Sequence, residues 1–218
     1  MIEAEWLTSE KPNRMLYLLS GLASERKLRL YLHACLSRTP RGNYDAQVLA
    51  VGERLAAGLV SEEDRQRVLT LVSDYHTHLF PSVAAIVSPL TVSWLHWGAE
   101  AAARDVASSF VPIVDPRTWD ETAWQRHVSA ELGTQCDILR DIFGNPFRRA
   151  GVDLRWLTPT VVSLAKGIYA ERAFDRMPIL ADALEDARCE HTGILTHCRG
   201  DGPHVRGCWV VDLLLRKS

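Results

Sequence analysis

The chain has 218 residues with 25 Lys plus Arg against 27 Asp plus Glu, 47% hydrophobic residues, 24% charged residues, 13 Gly, 10 Pro and 5 Cys. Those values sit near the averages for globular proteins and exclude collagen-like, disordered and disulfide-dense classes. A net charge of −2 gives no electrostatic reason to expect nucleic acid or an acidic membrane as partner.

Met1 to Trp6 carries Glu3 and Glu5 and no basic segment followed by an apolar core. The expectation is therefore a cytoplasmic protein with reduced thiols at Cys35, Cys136, Cys189, Cys198 and Cys208. Ser24 reads as the N-cap of a helix whose Leu28, Tyr31, Leu32, Cys35 and Leu36 share one face, ended by Thr39, Pro40 and Gly42. Asn43 opens a second helix, and Ser61 followed by Glu62, Glu63 and Asp64 a third. From Leu79 to Ala99 no Asp, Glu, Lys or Arg occurs, yet Pro81, Pro89, His96 and several hydroxyl residues keep the run too polar for a membrane span. It reads instead as a helix starting at Pro89, with Trp94 and Trp97 on its apolar stripe. Asp115, Pro116 and Arg117 mark a turn, after which Val128, Leu132, Cys136, Leu139 and Phe143 line a long helix.

Gly144, Asn145 and Pro146 stop that helix, and residues 144–158 read as a linker between an N-terminal lobe, 1–143, and a four-helix C-terminal lobe, 159–218. Thr158 and Pro159 cap the first helix of that lobe, with Val161, Leu164, Ala165 and Ile168 inward. Pro178 opens the next, with Ile179, Leu180, Ala183 and Leu184 inward. Ile194 and Leu195 belong to a short third, and residues 204–215 form a last helix that is apolar on most of its circumference. With period-2 alternation missing, the predicted class is all-α: about nine amphipathic helices in two packed lobes. Residues 146–218 hold 11 basic and 9 acidic residues, the remainder 14 and 18, so neither lobe is marked for a polyanion.

Two end stretches, Glu5-Trp6-Leu7 and Ser24-Glu25-Arg26-Lys27-Leu28-Arg29-Leu30, and four later blocks carry a resemblance. The later blocks are Leu139 to Phe147, Trp156 to Thr160, Ile179 to Ala187, and Gly202 to Trp209. Together they resemble an expanded family of planctomycete proteins, a resemblance that implies no activity, substrate or catalytic residue.

The densest chemistry is C-terminal. Cys189, Cys198, His204 and Cys208 are separated by eight, five and three residues, the spacing of a CCCH-type zinc finger with its last two ligand types exchanged. On a helix, His204 and Cys208 would share a face, with His191 and His197 as spare ligands. The competing reading is that these thiols are small buried hydrophobes. His204, Cys208 and Asp212 at i, i+4 and i+8 also supply the residue types of a cysteine nucleophile with its base and orienter. His76 and His78 point about 200° apart on a helix and do not converge. No phosphate loop, nucleophile elbow or HExxH is present. Trp119 and Trp124, beside a turn, are the candidate contact surface. The leading expectation is a non-enzymatic helical interaction or adaptor module with a protein partner, no nucleic acid or membrane contact, and no strongly perturbed titrating groups around His204 and Cys208. The second is a zinc-stabilised domain, or a zinc- or cysteine-dependent enzyme, built on the C-terminal Cys/His cluster, with zinc the one cofactor considered.

Overall fold

A computed structural model describes residues 1–38, 46–57, 60–64, 66, 67, 70 and 121–217. The helix start at Asn43, the charge-free run from Leu79, Trp94, Trp97, His76, His78, the turn at Asp115 and Trp119 lie outside the described residues. Within them the fold is all-α, with no β-strand, and no helix is long and apolar enough to cross a membrane.

The chain divides into two compact units, Met1–Leu139 and Arg140–Ser218. In the first, α1 (Glu3–Thr8) and α2 (Pro12–Leu19) precede α3 (Glu25–Leu36) and α4 (Ala46–Ala56). At six and eight residues, α1 and α2 are too short to show a helical period over a useful window. They nevertheless bury Trp6, Met15, Leu16 and Leu19. Ser24 caps α3 as expected, its Oγ accepting from the Lys27 amide at 3.4 Å, and the whole predicted stripe of α3 is buried.

The long helix, α5 (Glu121–Phe143), buries Glu131, Gln135, Ile138, Leu139 and Ile142 around Cys136, whereas the expected Val128, Leu132 and Phe143 are half-buried. The inward face is rotated because two polar residues occupy it: Glu131 is buried against Arg38, Nη2 to Oε2 3.0 Å, and Gln135 donates to Glu131 at 3.3 Å. Trp124 lies in the first turns of α5, half-buried.

Four helices build most of the second unit: α6 (Pro159–Glu171), α7 (Met177–Asp186), α8 (Thr192–Arg199) and α9 (Trp209–Leu215). They form a closed ring in which α6 packs on α7 and α9, and α8 on α7 and α9. Thr158 Oγ1 caps α6, and Val161, Ile168, Met177, Leu180, Leu184 and Ile194 are among the fully buried residues at the centre of the ring. Burial of each large side chain contributes about 1.5–3 kcal/mol. Ile179, expected inward, is 53% exposed, and Met177 and Ala181 take the inward positions of α7 instead. Residues 144–158 belong to this unit: Ala150, Val152, Trp156 and Leu157 pack against its core, and Asp153 caps a 3-10 turn at Leu154–Trp156. The division thus falls at Leu139 and Arg140, inside α5.

Gly144 ends α5 with φ +64° and its amide on the Arg140 carbonyl at 2.9 Å. A Cβ at this position would stand 3.0 Å from Trp209 Cγ. Gly144→Ala therefore combines left-handed strain with crowding, and urea unfolding should show a loss of about 1–3 kcal/mol. Gly167→Ala, inside α6 with nothing within 4 Å of the new methyl, should gain about 0.5–1 kcal/mol.

Candidate metal centre

Asp141 lies in the last turn of α5, the negative end of the helix macrodipole, with its carboxylate buried. Both circumstances disfavour an anion, so its surroundings must compensate. They do so from three directions. His204 Nδ1 stands 2.8 Å from Oδ1, His197 Nε2 3.1 Å from Oδ1, and the Val205 amide donates to Oδ2 at 2.8 Å. Burial alone would raise the carboxyl, but the two imidazoles and the Val205 amide outweigh it and hold Asp141 below its ordinary 3.8.

Local structure delivers these groups. His197 sits in the last turn of α8, two residues before the chain leaves the helix at Gly200. The following Gly202-Pro203 carries the chain to His204, and a turn closed by the Cys208 amide on the Val205 carbonyl, 3.0 Å, doubles it back. Gly207 has φ +99°, a region that demands glycine. Arg206 fastens the turn to the end of α6 by donating to the Tyr169 carbonyl at 3.0 Å and the Ala170 carbonyl at 3.2 Å. The predicted helix over 204–215 therefore begins only at Trp209, with Cys208 as its N-cap residue. Gly207, with its positive φ, overrides the apolar periodicity that suggested an earlier start.

The turn places Cys208 Sγ 3.2 Å from His197 Nε2. Single donor atoms of Asp141, His197, His204 and Cys208 all lie within 4.8 Å of one another. Burial pushes the Cys208 thiol well above its usual value and the Asp141 charge adds to that, against the backbone amides of Val211 and Val210. His204 Nε2 is buried without a hydrogen-bond partner. The His197 ring also leans on Trp209, centroids 5.2 Å apart, and meets His204 edge-on at 4.9 Å.

Of the four ligands suggested by spacing, the structure brings together His204 and Cys208 and leaves Cys189 and Cys198 in the apolar core of the unit. Their places are taken by Asp141 and by His197, one of the two spare histidines. The other, His191, is the N-cap of α8, its Nδ1 accepting from the Ile194 amide at 3.3 Å. Asp212 is buried on α9 and outside the four-residue group, so the carboxylate that meets His204 is Asp141. The expected alignment of Cys208, His204 and Asp212 is not the geometry the structure presents: His204 meets Asp141, and Asp212 stands outside the group that holds Cys208. The imidazole nearest Cys208 is that of His197, and it presents one nitrogen, Nε2, to both thiol and carboxylate, whereas an orienting carboxylate and a nucleophile need opposite nitrogens. Against the expected absence of strongly perturbed groups, burial raises the Cys208 thiol well above its usual value, and Asp141 is lowered.

No family model, curated protein or solved structure matches the chain. The geometry of the four donors stands by itself. A tetrahedral centre with bonds of about 2.0–2.3 Å has donor separations of about 3.3–3.8 Å. The contacts of 2.8, 3.1 and 3.2 Å would open by a few tenths of an ångström to reach it, and the remaining pairs lie within 4.8 Å. A buried Asp/His/His/Cys group of this kind could hold a metal ion. Asp141 was legible only as an acid three residues past the apolar Ile138, in the last turn of a helix where a base is favoured.

Asp141→Asn removes the charge that three donors converge on and should cost about 3 kcal/mol in chelator-treated protein near neutral pH. A carboxyl held below its ordinary value stabilises the fold above that value and loses the contribution as pH falls through the folded-state one. Denaturation at several pH values should therefore show the wild-type advantage over the variant full above about pH 5 and closing below about pH 4. All five cysteines are free and buried, so iodoacetamide should leave the folded protein essentially unlabelled up to about pH 9 and modify all of them in guanidinium chloride.

Proposed function

We propose that the chain is a zinc-holding helical module, in which Zn²⁺ on Asp141, His197, His204 and Cys208 fastens the segment 197–208 to the end of α5. The observation that carries this reading is convergence. His197 Nε2 faces the Asp141 oxygen at 3.1 Å and the Cys208 sulfur at 3.2 Å, and a single N–H serves only one of them. An ion at the point where they converge satisfies both, along with His204, and its charge reverses the penalty on a buried carboxylate and a buried thiolate. One sulfur, two imidazoles and one carboxylate suit zinc, which has no geometric preference of its own and takes all three ligand types in tetrahedral sites. Magnesium and calcium call for oxygen ligands.

Four protein donors in a buried group leave no coordination position for a substrate, which supports a structural rather than a hydrolytic metal. With that, the reading favours an interaction or adaptor protein over an enzyme, its partner another protein rather than nucleic acid or membrane, in the cytoplasm. Exposed Phe147, Leu154 and Ile179 on the second unit are side chains available to such a partner.

Metal analysis and zinc titration of the purified full-length protein test it. About one equivalent is expected, falling below about 0.2 in Cys208→Ala and Asp141→Asn, while Cys189→Ser and Cys198→Ser retain it. Less than about 0.2 equivalents on the wild type removes the reading, and loss on Cys189→Ser would return the site to the ligand set suggested by sequence spacing.

A further inference from the structure

Resting on the zinc reading above, we propose that the centre is exchangeable: Zn²⁺ enters and leaves past His197, so that the C-terminal unit responds to the supply of free zinc instead of holding one ion permanently. The four donors differ sharply in their access to water. The His197 side chain is 20% exposed, against 9% for His204 and 3% for Asp141, and Cys208 is fully buried. A hydrated ion or a competing chelator therefore meets the cluster at His197.

The same residue stands on short backbone support, although its ring also leans on Trp209. Asp141 is pinned by the Val205 amide as well as by imidazole. Cys208 belongs to the apolar core, and His204 immediately precedes the turn that Arg206 ties to the end of α6. His197 stands in the last turn of α8, an eight-residue helix, just ahead of Gly200 and Gly202. Withdrawal of this one side chain leaves an oxygen, a nitrogen and a sulfur in place, the number of protein ligands that suffices to retain zinc with water in the fourth position.

Donor chemistry points the same way. Tightly closed structural zinc sites draw on several thiolates. Here a single sulfur shares the ion with a carboxylate and two imidazoles.

The experiment uses the full-length protein loaded with Co²⁺, whose thiolate charge-transfer absorption reports occupancy of Cys208, and then with Zn²⁺, each challenged with excess EDTA in a stopped-flow instrument. The wild type should release metal within minutes. His197→Ala should still bind, at least about tenfold more weakly and with correspondingly faster release. His204→Ala should lose the absorption, with circular dichroism distinguishing loss of a ligand from loss of fold. Retention of metal for hours by the wild type would overturn exchangeability whatever the variants do, as would equal effects of the His197 and His204 substitutions on release. Failure of the wild type to bind either ion stoichiometrically removes the zinc reading itself, and this inference with it.

Discussion

Asp141 has to be neutralised where it stands. Its carboxylate is buried and lies where the α5 carbonyls accumulate negative potential, and the cost of burying an isolated ion, several kcal/mol, exceeds what any one neutral hydrogen bond returns. The rest of the second unit can be followed outward from that constraint. His197 at the end of α8 and His204 in the loop after it must both reach one carboxylate. The chain between them must therefore reverse, and Gly200 and Gly202 lie in that stretch, while Gly207 shapes the turn after His204. The reversal is what brings Cys208 from a distant register onto His197 and starts α9 at Trp209, whose ring then fills the space that Gly144 leaves open at the end of α5.

How far this was legible in the sequence depended on the range of the interaction that decides each feature. Ser24, Thr158-Pro159 and Gly144 act within one helical turn, and the structure places caps and a stop at those residues. The all-α class followed from periodicity in the same way. The inward face of α5 was misjudged because an apolar stripe is a poor guide where Glu131 is buried by an ion pair with Arg38, 93 residues away. At the site, spacing along the chain suggested Cys189 and Cys198 because cysteine is both a soft metal ligand and a small hydrophobe, and sequence alone does not separate the two roles. Asp141 and His204 are 63 residues apart, so no motif window joins them. Two short stretches, Leu139 to Phe147 and Gly202 to Trp209, contain three of the four donors, but a string of residues does not say that they meet.

Two ways of settling the buried carboxylate compete: protons alone, or a cation shared by all four donors. Hydrogen bonds to a charged group contribute about 1.5–3 kcal/mol each, and Asp141 receives three, enough to offset its own burial. They do nothing for the Cys208 sulfur, which faces an imidazole nitrogen already committed to Asp141. A divalent ion supplies one solution for carboxylate, imidazoles and thiolate together, and zinc sites in small domains reach apparent binding free energies of about 10–16 kcal/mol near neutral pH. With one thiolate in place of several, the gain here belongs below that range, yet it need exceed the proton network by only a few kcal/mol to dominate at modest free-metal concentrations.

That margin also separates this unit from small zinc-dependent domains. Those lack a core, so the metal must close the chain and is lost only with the fold. Here the loop between Asp141 and His204 is closed already by Val161, Ile168, Met177, Leu180, Leu184 and their neighbours in the ring of α6, α7, α8 and α9. At about 1.5–3 kcal/mol for each large buried side chain, the core outweighs any contribution the ion could add. The entropy of bringing the donors together is therefore met largely by apolar packing. On the proposed zinc reading, an ion would act on the segment from His197 to His204 that this packing holds least directly, and its gain or loss would be felt there while α6 and α7 stay in place. A conditional element of this kind needs a stable frame behind it, and the apolar ring supplies one.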